Sequence, residues 1–333
     1  MRRRVPLVVL GGALAVAACS DADVTQPPGP APVDLSSPAP RVHIMPTRGM
    51  AGAPFAMAGV PYDVAGGKSA KRRRGTGIYY HGGPILLVPQ VAALYWGTSR
   101  IYNNGPTPGS KGSGSQDLSV VGYFMNHFAP SPYFNINNTY TNSSGGRVAN
   151  SVSYTQFWAD NANPGSKPSD AAIQAEIVKG FTSGNLTYDA STVYIVFTGT
   201  GVNLGGGFLT QYCAYHGNFT WNGNDVKYAA EPYDWDDQAG CSALSGSPNN
   251  DFPADVEVST IAHETEEAAT DPDLNAWYDN SGYENADKCA WTFGTTYTTA
   301  NGATANMKLG GWDFLIQRNW VNAGSGGCKL AYP

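Results

Sequence analysis

Asp251-Phe-Pro-Ala-Asp-Val-Glu-Val-Ser-Thr-Ile-Ala-His263-Glu264-Thr-Glu-Glu267-Ala-Ala-Thr-Asp-Pro272 is the stretch on which the reading of this chain turns. Pro253 suits the first turn of a helix, and Asp251 lies near its cap. Asp255 and Glu257 sit early, where the helix dipole favours negative charge. Pro272 stops the helix. A helix over this span puts Glu267 one turn beyond His263 on the same face, with Glu264 beside them.

This is the spacing of the H-E-x-x-H zinc-protease helix with a glutamate in place of the second histidine. Two ligands at i and i+4 can grip one ion, and the residue at i+1 can take a proton from water bound to it. The expected metal ligands are therefore His263 and Glu267, with Glu264 as the general base. A third ligand has to come from elsewhere. Gly282-Tyr283-Glu284-Asn-Ala-Asp287-Lys-Cys289 offers Glu284, and Asp287 is expected behind the ligands, orienting the His263 ring. Gluzincin proteases place a glutamate and a supporting aspartate at a comparable remove. Two carboxylates and one imidazole make a harder site than the usual zinc set. Zinc tolerates it, and manganese and calcium are alternatives. The expected fold is α/β or α+β, a single zincin-like domain whose mixed sheet carries the metal-binding helix.

Working outward, residues 1–18 read as a lipoprotein-type signal peptide. Arg2, Arg3 and Arg4 precede an apolar run too short to span a membrane, which ends in Val16-Ala17-Ala18-Cys19. Cys19 is the expected lipidation site, which would leave the protein exported and anchored to the outer membrane or cell surface. An ordinary secretory signal is the alternative. Residues 19–75 are Pro- and Gly-rich and read as a tether, with His43 set aside inside it. The tether ends in the basic cluster Lys71-Arg72-Arg73-Arg74, either a processing site or a solvated linker end.

Residues 76–333 read as one folded domain with no second linker. Strands are expected within Ile85–Trp96, over Thr192–Thr198, and near 210–220 and 226–231. Helices are expected over Asp117–Phe128, capped by Asp117, and from Asp170 to about Phe181.

Formal charge is −6, and loss of residues 1–18 removes three arginines and no acid, giving −9. An acidic, sparsely charged chain is a poor nucleic-acid binder. The four cysteines beyond Cys19 suit two disulfides in an oxidising compartment. Three pairings are open, with Cys213–Cys241 and Cys289–Cys328 preferred because they close local loops. No close cysteine pairs exist for a zinc ribbon.

Ile261-Ala-His-Glu-Thr-Glu-Glu-Ala268, Asp271-Pro272, Asn275-Ala-Trp-Tyr278 and Glu284-Asn-Ala-Asp-Lys-Cys289 together resemble the phosphate-induced protein family, known in plants as EXORDIUM-like proteins. Tyr80-His-Gly-Gly-Pro84 and Leu94-Tyr-Trp-Gly97 resemble the family's opening. Cys213-Ala-Tyr-His-Gly217 resembles its Cys-Gly-Phe-His-Gly element, and Phe314-Leu-Ile-Gln317 through Cys328 its closing strand and last cysteine. The resemblance runs over about residues 78–330. It implies a secreted or wall-associated protein, linked in plants to cell expansion and growth signalling, but no defined biochemical activity. Some plant members lack the His-Glu helix signature. This chain departs from the pattern at Glu266 and Asn285, neither of them a proposed ligand.

The remaining candidates carry competing structural readings. His216 beside Cys213 either helps catalysis at an oxyanion or is a buried core histidine. Tyr278 either donates to an oxyanion or packs with Trp277. His81 is expected to anchor a turn, and His127 to be structural. Asp234-Trp-Asp236-Asp237 lacks the EF-hand pattern and reads as a solvated turn. No dinucleotide-binding loop or G-x-S-x-G elbow is present.

These readings favour a metal-dependent hydrolase, most readily a peptidase, that holds an extended peptide by pairing with the strand before the helix. The alternative is a non-enzymatic module whose 19 tyrosines and eight tryptophans contact cell-wall glycans. A weaker third reading is a glycosidase using two of Glu264, Glu267 and Glu284, with carboxyls about 5–9.5 Å apart across an open cleft.

Overall fold

The computed structural model describes residues 42–51 and 77–333. The expected signal peptide with Cys19, most of the expected tether and the basic cluster at 71–74 lie outside the described residues.

Seven strands form the central sheet: β1 (Val42–Pro46), β3 (Gln90–Trp96), β4 (Lys111–Ser113), β5 (Ser153–Asp160), β6 (Thr192–Thr198), β7 (Tyr212–Trp221) and β8 (Asn224–Glu231). A two-residue strand, β2 (Tyr79–Tyr80), lies outside it. The order is β1-β7-β8-β6-β3-β5-β4. β8, β6, β3 and β5 are parallel, whereas β1, β7 and β4 run antiparallel to their neighbours.

The parallel centre explains its own composition. A strand covered on both faces reads as a continuous apolar run, and Thr192-Val-Tyr-Ile-Val-Phe-Thr198 is buried throughout. Alternation then divides its side chains. Val193, Ile195 and Phe197 join Val91, Ala93 and Tyr95 on one face, and Tyr194 and Val196 join Leu94 and Trp96 on the other. The second face is covered by α2 (Asp170–Thr182) through Ile173, Ile177 and Phe181. The first is covered by α1 (Val120–His127) and, beyond the short α3 (Gln238–Cys241), by α4 (Phe252–Thr270).

Mixed parallel and antiparallel pairing with this sheet-rich core makes the fold α+β. The C-terminal part consists of short two-stranded ribbons. β9 (Trp277–Tyr278) pairs with β2, β10 (Tyr297–Thr298) with β11 (Thr304–Ala305), β12 (Met307–Leu309) with β13 (Trp312–Phe314), and β14 (Asn319–Val321) with β15 (Gly327–Lys329). Gly83 explains part of the Tyr80-His-Gly-Gly-Pro84 element. A Cβ there would lie 1.6 Å from Asn275 Oδ1, so only glycine lets this segment lie against the loop after α4. Both preferred disulfides are present, Cys213–Cys241 and Cys289–Cys328. Among the described residues no helix is long and apolar enough to cross a membrane.

Four expectations need correction. The tether is not structureless throughout, because Val42–Pro46 is a buried strand paired to β7 over five residues. The first helix starts at Val120, capped by Ser119. Asp117 instead accepts from the Ser119 backbone and hydroxyl and from the phenols of Tyr95 and Tyr154. Asp234 is buried rather than solvated, and its backbone N–H donates to Glu257 at 2.9 Å. Finally, β8, the strand before α4, is flanked by β7 and β6 and has no edge to offer a peptide.

Candidate metal centre

A helix buried on every side is ordinarily apolar. α4 is buried from Ala254 to Thr270 and yet carries Asp255, Glu257, His263, Glu264, Glu266 and Glu267. Burying a carboxylate without partners is strongly unfavourable, so each must be answered. Asp255 accepts from Ser247 and Asn249. Glu257 accepts from the Asp234 backbone and Thr260. Glu266 turns to Tyr133 and Asn137, and burial pushes its carboxyl up to about 8. Glu264 and Glu267 point instead into a cluster of histidines and further acids.

Four parts of the chain build that cluster. α4 supplies His263, Glu264 and Glu267. The segment leading into the 3-10 turn Asp287–Cys289 supplies Glu284 and Asp287. β7 supplies His216 and β1 supplies His43. None of the seven is more than 7% exposed.

Their ligand atoms fall into three groups, each mutually within 4.8 Å: His43, Glu267 and Glu284; His216, Glu264 and Glu267; and His263, Glu267 and Asp287. Glu267 belongs to all three. His263 Nε2 lies 3.0 Å from Glu267 Oε1 and 3.5 Å from Asp287 Oδ1. His216 Nδ1 lies 3.0 Å from Glu264 Oε2. His43 Nε2 lies 2.5 Å from Asp287 Oδ2, and its Nδ1 3.1 Å from Glu284 Oε1.

Six of these buried atoms have no hydrogen-bond partner among the described residues: His216 Nε2, His263 Nε2, Glu264 Oε1, Glu267 Oε2, Glu284 Oε2 and Asp287 Oδ1. Several are close without being aligned to bond one another. That is how side chains behave when they are packed as potential ligands in overlapping sets. No Lys or Arg ion pair among the described residues reaches the cluster.

Charges follow from this packing. Burial opposes protonation of His263, but Glu267, Asp287 and Glu264 outweigh it and raise its pKa well above the ordinary value. His43 is also raised against its burial, by Asp287 and Glu267. His216 is driven well down by burial and by the neighbouring His43 and His263. Burial lifts Glu264 and Glu284 well above the carboxylate range and raises Glu267 too. Asp287 is held well below that range, despite its burial, by His43 and His263.

Sequence reasoning placed His263, Glu267 and Glu284 on one ion. The structure separates His263 and Glu284 into different groups that share only Glu267. Asp287 stands at the Nε2 side of His263, 3.5 Å away, rather than behind the ring. The group behind the ring is Gln317, whose amide lies 2.7 Å from His263 Nδ1. His216 is no ordinary core histidine, since it meets Glu264. Tyr278 lies on the β2–β9 ribbon, its ring stacked on His81 at 3.6 Å between centroids. His81 donates its backbone N–H to Ala276, as a turn anchor would.

Two site residues escaped the sequence. His43 had a signal, since Val42-His-Ile-Met45 is a compact strand-like run within a Pro-rich segment. Gln317 had a fainter one, a polar residue closing the apolar Phe314-Leu-Ile run.

The class defined by these observations is an α+β protein with two disulfides and a buried histidine–carboxylate centre. The chain belongs to the phosphate-induced protein 1 family, whose conserved region matches residues 125–312. It is 28% identical to Protein EXORDIUM-like 5 of Arabidopsis thaliana over 286 residues, 72% of this chain and 74% of that protein. It is also 28% identical to Protein EXORDIUM-like 3 of the same plant over 235 residues, 61% of this chain and 69% of that protein. No solved structure matches the chain significantly.

Proposed function

We propose that this protein is an exported, metal-dependent hydrolase of zincin-like design, acting on peptide bonds. The observation that carries this reading is six buried, unpartnered ligand atoms of histidines and carboxylates in overlapping groups, with no Lys or Arg ion pair to them among the described residues. His263, Glu267 and Asp287 would hold the ion, with Glu284 in the neighbouring group that shares Glu267. Zinc suits the imidazole–carboxylate donors, and manganese is the next candidate. When bound, such an ion supplies a Lewis acid and an acidified water.

The chain's own residues supply the rest. Glu264 has one oxygen fixed by His216 at 3.0 Å and the other free to accept a proton. Burial raises its proton affinity well above that of an ordinary carboxylate, the direction a general base needs. Gln317 fixes the His263 ring from behind. The two disulfides and the signal-like N-terminus support work outside the cytoplasm, anchored through Cys19.

The test is the metal content of the purified chain beside His263→Ala. About one zinc or other transition ion per chain, lost in the variant, is expected. No bound metal and no uptake on adding zinc would remove the reading.

A second reading, glycan binding without catalysis, has one specific support. Trp312 and Tyr297 are both exposed aromatics, and Tyr297 bonds Asp313 beside Trp312 at 2.7 Å. Retention on wall polysaccharide that is lost in Trp312→Ala would favour it.

A further inference from the structure

We propose that the edge of β7 is a binding edge for an extended peptide strand, and that β1 is an occupant supplied by the chain itself, which holds the centre closed. The inference deepens the hydrolase reading by naming where its substrate would lie.

β1 does what such a peptide would do. It runs antiparallel along β7 in register from Val42 opposite Gly217 to Met45 opposite Ala214, and a one-residue shift then sets Pro46 opposite Tyr212. An added strand gains affinity from backbone pairing and specificity from its alternate side chains. Val42 and Ile44 enter the apolar cluster on the α2 side. His43, of opposite parity, turns to the acid–imidazole centre and meets Asp287 and Glu284.

The centre is thereby sealed, with His216, His263, Glu264 and Glu267 all fully buried. A hydrolase needs its substrate beside those groups. β8 is fixed between β7 and β6, whereas β7 carries on its other side only β1, so exchange of β1 for an incoming strand is what would place a peptide beside the centre.

Beyond its pairing with β7, the strand is buried, and just after it the Arg48 backbone N–H donates to Gly240 and the Arg48 guanidinium to Ser242. The Trp291 indole N–H donates to the Pro46 carbonyl at 2.8 Å. Lys71-Arg72-Arg73-Arg74 stands in the sequence between β1 and the rest of the domain. Cleavage there would leave β1 attached by non-covalent contacts alone.

The experiment uses two forms of the full chain. One is Ile44→Asp, which places a charge on the α2 side of β1 without touching the centre. The other is the native chain nicked by trypsin at residues 71–74, the site confirmed by mass spectrometry. Each is titrated with a fluorescent peptide of residues 40–48, Pro-Arg-Val-His-Ile-Met-Pro-Thr-Arg, and its metal content is measured. Capture by both forms but not by the intact wild type is expected, with at least tenfold weaker capture when alanine replaces the peptide's histidine. Refusal by both forms overturns the edge assignment, even if metal is bound. Capture without any metal supports the edge and counts against the hydrolase. Metal lost from both forms makes His43 a resident ligand and overturns the self-occupying role.

Discussion

His43 and His216 face each other as a register pair across the edge of the sheet, their ring centroids 5.7 Å apart, and both rings reach carboxylates of the same buried centre. One comes from a segment that reads as a tether and the other from a strand of the core. The centre is therefore a product of strand pairing as much as of the α4 helix motif.

Glu264→Gln keeps the size and hydrogen-bonding capacity of the side chain but removes its ability to take a proton. Peptide hydrolysis should fall by about 10³-fold or more, with metal content unchanged. Turnover of a fluorogenic peptide library beside elemental analysis checks this. Hydrolysis surviving within tenfold would remove Glu264 as the base.

Gln317→Leu leaves His263 Nδ1 without its partner at 2.7 Å. Metal affinity should drop by about 10–100-fold, the usual effect of losing such a partner. Gln317→Glu, which replaces the amide donor by a carboxylate oxygen able to accept from Nδ1–H, should restore most of it. Competition with a chelator of known affinity reads both, and equal affinity in all three chains would show that Gln317 does not orient the ring.

The Cys213–Cys241 bridge closes a 28-residue separation and ties β7 to α3. Replacing both cysteines by serine should destabilise the protein by about 3–4 kcal/mol on the chain-entropy argument. Urea unfolding of the oxidised parent and the variant measures it. An unchanged midpoint would show that the bridge does not constrain the unfolded chain in this way.

Glu176 supplies a pH test far from the centre. Burial and the neighbouring Asp160 push its carboxyl up to about 7, against the attraction of Lys179 at 3.0 Å. The folded chain thus keeps this proton to higher pH than the unfolded one, whose glutamate titrates near about 4.3. Its stability contribution is complete below that pH and is lost as pH rises to about 7. Glu176→Gln should raise stability at pH 8 by no more than about 1 kcal/mol, given partial solvent screening, and leave pH 4 unchanged. Urea midpoints at the two pH values decide it, and a gain that is the same at both would refute the linkage.

Some of this was legible in the chain because it is local. The α4 helix follows from Pro253 and Pro272 at its ends, and the Thr192–Thr198 strand from its unbroken apolar run. The i, i+4 relation of His263 and Glu267 needs only helical pitch. The preferred disulfides close short loops, which favoured them before any contact was known. His216 and Asp287 were visible as candidates, but their roles depend on which side of which ring they reach, and spacing does not encode that.

The sequence by itself narrowed the fold to α/β or α+β and determined the helix that carries the acids and the family to which the chain belongs. Only the tertiary structure decided that Asp287 joins His263 at Nε2, that Gln317 stands behind it, and that β1 closes the site with His43. The physical reason is that helical pitch and apolar runs are written in neighbouring residues. Edge-strand pairing joins segments from opposite ends of the chain, and backbone bonds available to almost any residue carry it, so the five residues of β1 leave little mark in composition.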